Sequence, residues 1–191
     1  MIDRILMQKI QQSLLNSPVT ALVGPRQCGK TTLARQFLKG DKVHFFDLEN
    51  PTDRFALEDP LLAFEQYHDD LVIIDEAQRM PQLFPALRVL VDQNRKPGRF
   101  LLLGSSTPHL RRQSAESLAG RIITLELTPF LTEEVIPVHA NLSNFWLRGG
   151  FPPSLLSDND AVSLQWRINY LRDVVERDLG LLGFRLPPES M

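Results

Sequence analysis

The stretch from Val19 to Leu38 constrains this chain more than any other. Val19 to Val23 is a short apolar, β-branched run closed off by Pro18 and Gly24, the pattern of a buried strand. Gly24-Pro25-Arg26-Gln27-Cys28-Gly29-Lys30-Thr31 follows, and a helical pattern over about 30–38 then ends near Gly40. A strand, a glycine-bracketed loop and a helix in that order leave backbone amides free to wrap an anion. The helix aims its positive end at the same place. The eight residues match G-x-x-x-x-G-K-[ST] at every fixed position. In that pattern Lys30 neutralises the β- and γ-phosphates of a nucleotide, and the Thr31 hydroxyl ligates Mg²⁺. Thr32 completes the stretch expected to touch the nucleotide.

The rest of the chain supplies a scaffold for such a loop. Ile2, Ile5, Leu6, Ile10 and Leu14 recur at helical spacing, which predicts an amphipathic helix over 2–15. Further short apolar runs at 43–46, 71–74, 100–103 and 122–127 predict strands. The acidic stretch 49–70, with Pro51 and Pro60, predicts loops around short helices, and helices are expected over 81–93 and around 108–118. Strands alternating with helices at these lengths imply an α/β fold with a parallel sheet and right-handed crossovers.

From Thr128 the pattern changes. Pro129, Pro137, Pro152 and Pro153 punctuate short helical pieces, and Leu164, Ile168, Leu171, Val175 and Leu179 mark a last amphipathic helix closed near Gly180. The expected organisation is a core over 1–127, a helical lid over 128–183, and a tail over 184–191 that leads toward a further domain. Trp146 and Trp166 stand at helical positions and are expected in the core.

A second set of polar residues sits where the predicted strands end. Leu71 to Ile74 runs into Asp75 and Glu76. Asp75 is the expected metal partner, and Glu76 is placed to act as general base on a water. The alternative is a solvated strand end. Phe100 to Leu103 ends in Gly104-Ser105-Ser106. If that strand lies between the other two, Ser105 or Ser106 faces the γ-phosphate; otherwise it is a serine-rich turn. Arg121, with Arg111 and Arg112 behind it, is the candidate for an arginine offered in trans to a neighbour's γ-phosphate, against the alternative of a surface ion pair. Cys28 lies near Lys30 and a helix start, both of which lower a thiol pKa and suit an oxidation-sensitive switch; the alternative is a side chain that simply faces the sheet or solvent. Gln78 either orients water or begins a helix.

Composition removes other classes. Lys plus Arg number 21 against 23 Asp plus Glu, a net charge of −2, which does not support a nucleic-acid partner for this stretch alone. The single cysteine excludes an internal disulfide and a Cys-rich zinc site. No apolar run exceeds four residues, against the roughly 20 of a membrane span. The N-terminus carries no apolar block, so a cytoplasmic location is expected.

Gly24-Pro25-Arg26, Asp75-Glu76-Ala77-Gln78, Gly104-Ser105-Ser106 and Leu118-Ala119-Gly120-Arg121 together resemble the prokaryotic AAA-type ATPases that usually carry a nuclease-like C-terminal domain of unknown function. The resemblance implies ATP as the nucleotide and a five-stranded P-loop sheet of the additional-strand type, order 5-1-4-3-2. It also implies a second domain outside this chain. Gly149-Gly150-Phe151-Pro152 is similar to a Gly-x-Pro turn of related ATPases in which the proline, here Pro152, lies against the adenine; a plain turn between helices is the alternative. The expected activity is ATP hydrolysis with Mg²⁺ that switches a conformation on a partner, with homo-oligomers supplying the arginine. Two rivals are a nucleotide-binding regulatory module that turns over negligibly and a small-molecule kinase. The second would need an arginine-rich lid, and 128–160 contains only Arg148.

Overall fold

Five short runs of apolar residues become five parallel strands in the computed structural model, which describes residues 2–40, 42–105, 116–137 and 142–178. They are β1 (Val19–Gly24), β2 (Val43–Asp47), β3 (Leu71–Asp75), β4 (Phe100–Ser105) and β5 (Ile122–Glu126). Their order is β2-β3-β4-β1-β5 with every pairing parallel, the expected 5-1-4-3-2 read from the other edge. β1 and β4 are buried at every residue because helices cover both faces of the sheet, which is why they read as unbroken apolar runs. Most of the helix expected around 108–118 lies outside the described residues, as do Ser106, Arg111, Arg112, Gly180 and the 184–191 tail.

The helices of this part are α1 (Leu6–Asn16), α2 (Lys30–Ala34), α3 (Pro51–Ala56), α4 (Pro60–Glu65) and α5 (Leu83–Gln93). α2 is shorter than its sequence pattern because the chain tightens into a 3₁₀ turn at Arg35–Phe37. α3 and α4 start by one device. Asn50 accepts the Thr52 amide at 3.0 Å, and Asp59 accepts those of Leu61 and Leu62 at 3.1 and 3.2 Å. A proline then fills the first helical position, where no amide hydrogen is needed.

One core packs Val19, Val23, Val72, Ile74, Phe100 and Leu102 of the sheet against Leu83, Leu87 and Val91 of α5 and Phe64 of α4. On the other face, Ser13 of α1 meets Thr20 of β1 through a buried hydroxyl pair 2.8 Å apart, so two polar side chains are matched where neither could reach water.

The described residues divide into two compact units, Asp3–Thr128 and the residues from Pro129 onward joined by Ile2. The second unit holds α6 (Thr132–Val135), α7 (Leu142–Arg148), α8 (Pro152–Leu155) and α9 (Asp160–Asp173), with α9 widening into a π turn at Val174–Asp178. Ile2, Phe130, Val135 and Leu155 form its small core, with Phe145 against them. Two expectations fail here. Trp146 is 86% exposed rather than buried. Leu164, Ile168 and Leu171, the apolar face expected to pack, are also exposed. The inward face of α9 instead carries Ser163, hydrogen-bonded to Ser154 at 2.8 Å, and Trp166 and Tyr170, which stack on each other and flank Phe151.

Phe64 has no exposed surface and meets Phe46 and Phe100 edge-on, with ring centres 6.0 and 5.5 Å away. Phe64→Ala should destabilise the chain by about 3–5 kcal/mol through the cavity it leaves. The check is urea unfolding, where the midpoint should fall without a change of slope.

Candidate functional site

The order of the strands brings distant polar residues to one end of the sheet. β4 lies between β1 and β3, so the loop after β1, the serine ending β4 and the acidic pair ending β3 stand in a row. Gly24 pairs in register with Ser105, and Asp47 at the end of β2 pairs with Asp75. The condition set for Ser105 by the sequence is therefore met. Its partner in that reading, Ser106, lies outside the described residues.

The loop has a strained and crowded backbone. Gln27 and Gly29 both adopt positive φ, 60° and 99°, and Gly29 is the residue that leads into α2. Glycine carries no steric penalty there. At Gly24 the constraint is space, since an added Cβ would lie 2.2 Å from the carbonyl oxygen of Leu127. Lys30 is buried to 6% exposure, and its Nζ donates to the carbonyls of Gly24 and Pro25 at 3.0 and 2.9 Å. Those bonds fold the ammonium back over the loop. Arg26, Gln27 and Thr32 are exposed.

The Thr31 hydroxyl donates to Asp75 Oδ2 at 2.6 Å, across 44 residues of sequence. Asp75 Oδ1 accepts the amide of Glu76 at 2.9 Å. Burial pushes the Asp75 carboxyl above the usual carboxylate range and nearby Asp47 adds to this, against the two hydrogen bonds and Lys30, which lower it. Two hard oxygen donors, a hydroxyl and a carboxylate in direct contact, suit Mg²⁺, which takes one or two carboxylates and fills its other positions with water and phosphate oxygens.

Glu76 sits in the left-handed region at φ 53° and ψ 41°, which costs a side-chain-bearing residue on the order of 1 kcal/mol or more. The turn lets its amide reach Asp75 and swings its own carboxylate off the strand. Gln78 Nε2 donates to Glu76 Oε2, while Gln78 Oε1 is buried with no hydrogen-bond partner among the described residues. Gln78 thus orients the carboxylate of Glu76. It lies within the short 3₁₀ turn Ala77–Arg79, in keeping with its reading as a polar residue at a helix start.

Cys28 takes the plainer of its two readings, a side chain turned into the interior. The thiol is fully buried 3.5 Å from the carbonyl oxygen of Leu127, and burial pushes its pKa up despite Lys30 and Arg4. Arg121 lies just before β5, at the end of the sheet away from the loop, with Val19 opposite Ile122 in register. Its guanidinium makes a two-pronged ion pair with Asp92, at 2.7 and 2.9 Å. Pro152 opens α8 in the second unit. A cavity lined by Leu61, Phe64, Leu90 and Arg99 lies between α4 and the end of α5, and takes no part in this cluster.

Sequence reasoning missed two participants. Asp47 ends β2, but its apolar run stops at Phe46, so only the register of the sheet reveals it. Arg4 reaches the loop from before α1 and left no motif to find.

Residues 16–136 match the model of a family described as AAA domain. Two uncharacterized proteins, one from Mycobacterium bovis and one from Mycobacterium tuberculosis, are each 45% identical over 183 residues. The alignment takes in 96% of this chain but 41% of each relative, so the chain spans about two-fifths of their length. A solved Walker-type ATPase of Pyrococcus abyssi shares the fold, with TM-score 0.64 and 17% identity over 95% of this chain and 75% of that one.

A raised carboxyl pKa in the folded state means that folding favours the protonated form, so stability falls as pH rises from the unfolded value of 3.8 through the folded one. Asp75→Asn removes that loss. Its amide can keep the Glu76 bond and donate to Thr31 Oγ1, which turns from donor to acceptor. Without magnesium or nucleotide, the variant should melt higher than the parent, by a margin that widens from pH 4 to pH 7.5. Equal margins at both pH values in thermal scans would show that Asp75 carries no such penalty.

Proposed function

The chain belongs to the AAA domain family, and from that premise we propose that it binds ATP with Mg²⁺ at the loop between β1 and α2 and hydrolyses it. The observation that carries this reading is the Thr31–Asp75 hydrogen bond at 2.6 Å, which joins the head of α2 to the end of β3. Those two residues would hold Mg²⁺, which when bound neutralises charge on the β- and γ-phosphates and keeps them aligned.

The chain's own residues do the remaining work. Amides of Gly24, Pro25 excepted, through Thr31 enclose the phosphates, with Arg26, Gln27, Cys28 and Gly29 contributing backbone and Thr32 following. Lys30 leaves the carbonyls of Gly24 and Pro25 for the phosphate oxygens, exchanging neutral partners for charged ones. Glu76 accepts the proton of the attacking water, and Gln78 holds its carboxylate in position until then. Ser105, beside Gly24, hydrogen-bonds the γ-phosphate or the water. Arg121 leaves Asp92 to serve a neighbouring copy, because its own loop is at the other end of the sheet. Pro152 lies against the adenine, and the helical residues from Pro129 act as a lid that orders on binding and relaxes on hydrolysis.

One observation favours a slower variant of this reading. Glu76 is already engaged by Gln78, so a protein that mainly senses nucleotide occupancy would keep that bond.

Multiple-turnover phosphate release, followed over a series of protein concentrations, separates the two. Rate per chain should rise with concentration if Arg121 acts across copies, and Arg121→Ala should flatten that rise. Glu76→Gln should bind ATP normally yet turn over on the order of 10²-fold more slowly or worse. Lys30→Ala should weaken binding by about 10- to 100-fold as a charged contact is lost. Wild-type turnover no faster than that of the Gln variant would leave the sensor reading in place.

A further inference from the structure

The loop between β1 and α2 is gripped from outside its own strand–helix unit. Arg4 lies before α1 and is 92% shielded by its surroundings, at 8% exposure. Its Nη1 donates to the carbonyl of Cys28 at 3.0 Å, and its Nη2 donates to the carbonyl of Thr128. These contacts span 24 and 124 residues, so one side chain ties the start of the chain to the loop and to the segment that follows β5.

The choice of carbonyl matters because of peptide geometry. The Cys28 carbonyl and the Gly29 amide belong to one planar trans unit, so they point in opposite directions. Fixing one fixes the other. That plane turns about the Cα–C bond of Cys28 and the N–Cα bond of Gly29, whose φ is positive at 99°, and glycine offers little resistance to such a rotation. A reversed plane would turn the Cys28 carbonyl oxygen into the cradle, facing phosphate oxygens of like charge, and turn the Gly29 amide out of it.

We propose that Arg4 is a positioning residue for the nucleotide site: by holding the Cys28 carbonyl it aims the Gly29 amide at the phosphates. The proposal rests on the phosphate-binding reading above and names a part of that site outside the loop motif. Arg4 touches neither phosphate nor water in this role. It acts through one peptide plane, so its contribution is the same for bound ATP and for the transition state. Loss of Arg4 should therefore raise KM and leave kcat nearly alone.

Cys28 makes the test direct, since it is the sole cysteine of the chain and its thiol is fully buried. The full chain, with Arg4→Ala, Arg4→Lys and Lys9→Ala variants, is treated with a thiol-reactive aromatic disulfide in the absence of nucleotide. Lys9 is exposed on α1, so its removal takes away a nearby charge without touching the loop. Arg4→Ala should label at least several-fold faster than the parent, Arg4→Lys should fall between them, and Lys9→Ala should match the parent. In ATP titrations Arg4→Ala should bind about 10-fold more weakly, with Arg4→Lys partly restored and kcat within a factor of about two of the parent. Equal labelling of parent and Arg4→Ala, or a fall in kcat at unchanged KM, would overturn the proposal. Should Arg4→Ala fail to fold, Arg4→Lys carries both measurements, since one ammonium can hold only one of the two carbonyls well. Should the parent bind no ATP, the function proposed above fails, while the labelling rates still decide whether Arg4 holds the loop.

Discussion

A threonine hydroxyl and a buried carboxylate, 2.6 Å apart, hold this architecture's polar end together. Thr31 rides on the first turn of α2 and Asp75 closes β3, with β4 between β3 and the strand that leads into the loop. Their meeting requires the sheet order, the short loop and the tight turn after Asp75 all at once. Burial works against the carboxylate, the Thr31 hydroxyl and Glu76 amide work for it, and Asp47 on the next strand adds repulsion. The result is a group that the fold tolerates at some expense, which is common where structure is arranged for chemistry rather than for stability.

Much of this was legible in the residues. Apolar runs bounded by proline and glycine marked each strand, because a strand buried on both faces has no reason to alternate. The loop pattern declared itself because anion-binding backbone needs glycine at fixed places, and Gly24 and Gly29 meet that need for different reasons, one steric and one conformational. Asp75 and Glu76 were visible as carboxylates at the end of such a run.

What escaped was whatever depends on pairing across the chain. Asp47 becomes relevant only when β2 lies in register with β3. Arg4 looks like one more charge in an amphipathic segment until its carbonyl partners are known. At Cys28 the charged neighbours could be read from sequence, but the burial that outweighs them could not. In the second unit, apolar spacing on α9 suggested a buried face, yet small serines and an aromatic group at Phe151, Trp166 and Tyr170 turn inward instead. Hydrophobic period alone does not decide which side of a short helix is covered when small hydroxyl residues let a neighbour approach more closely.

The placement of β1 at the heart of the sheet has a consequence for how the protein is born. Its hydrogen-bonded neighbours are β4 and β5, which start at Phe100 and Ile122, far along the chain. A ribosome that has delivered the whole glycine loop has not yet delivered either strand that will flank it, nor Leu127, against which Gly24 closes. The cradle can be built only after these arrive, and such long-range parallel pairing is slow. A nascent chain must therefore keep an apolar strand unpaired at least until Phe100 has been made, and the loop reaches its folded geometry only after Leu127 has followed.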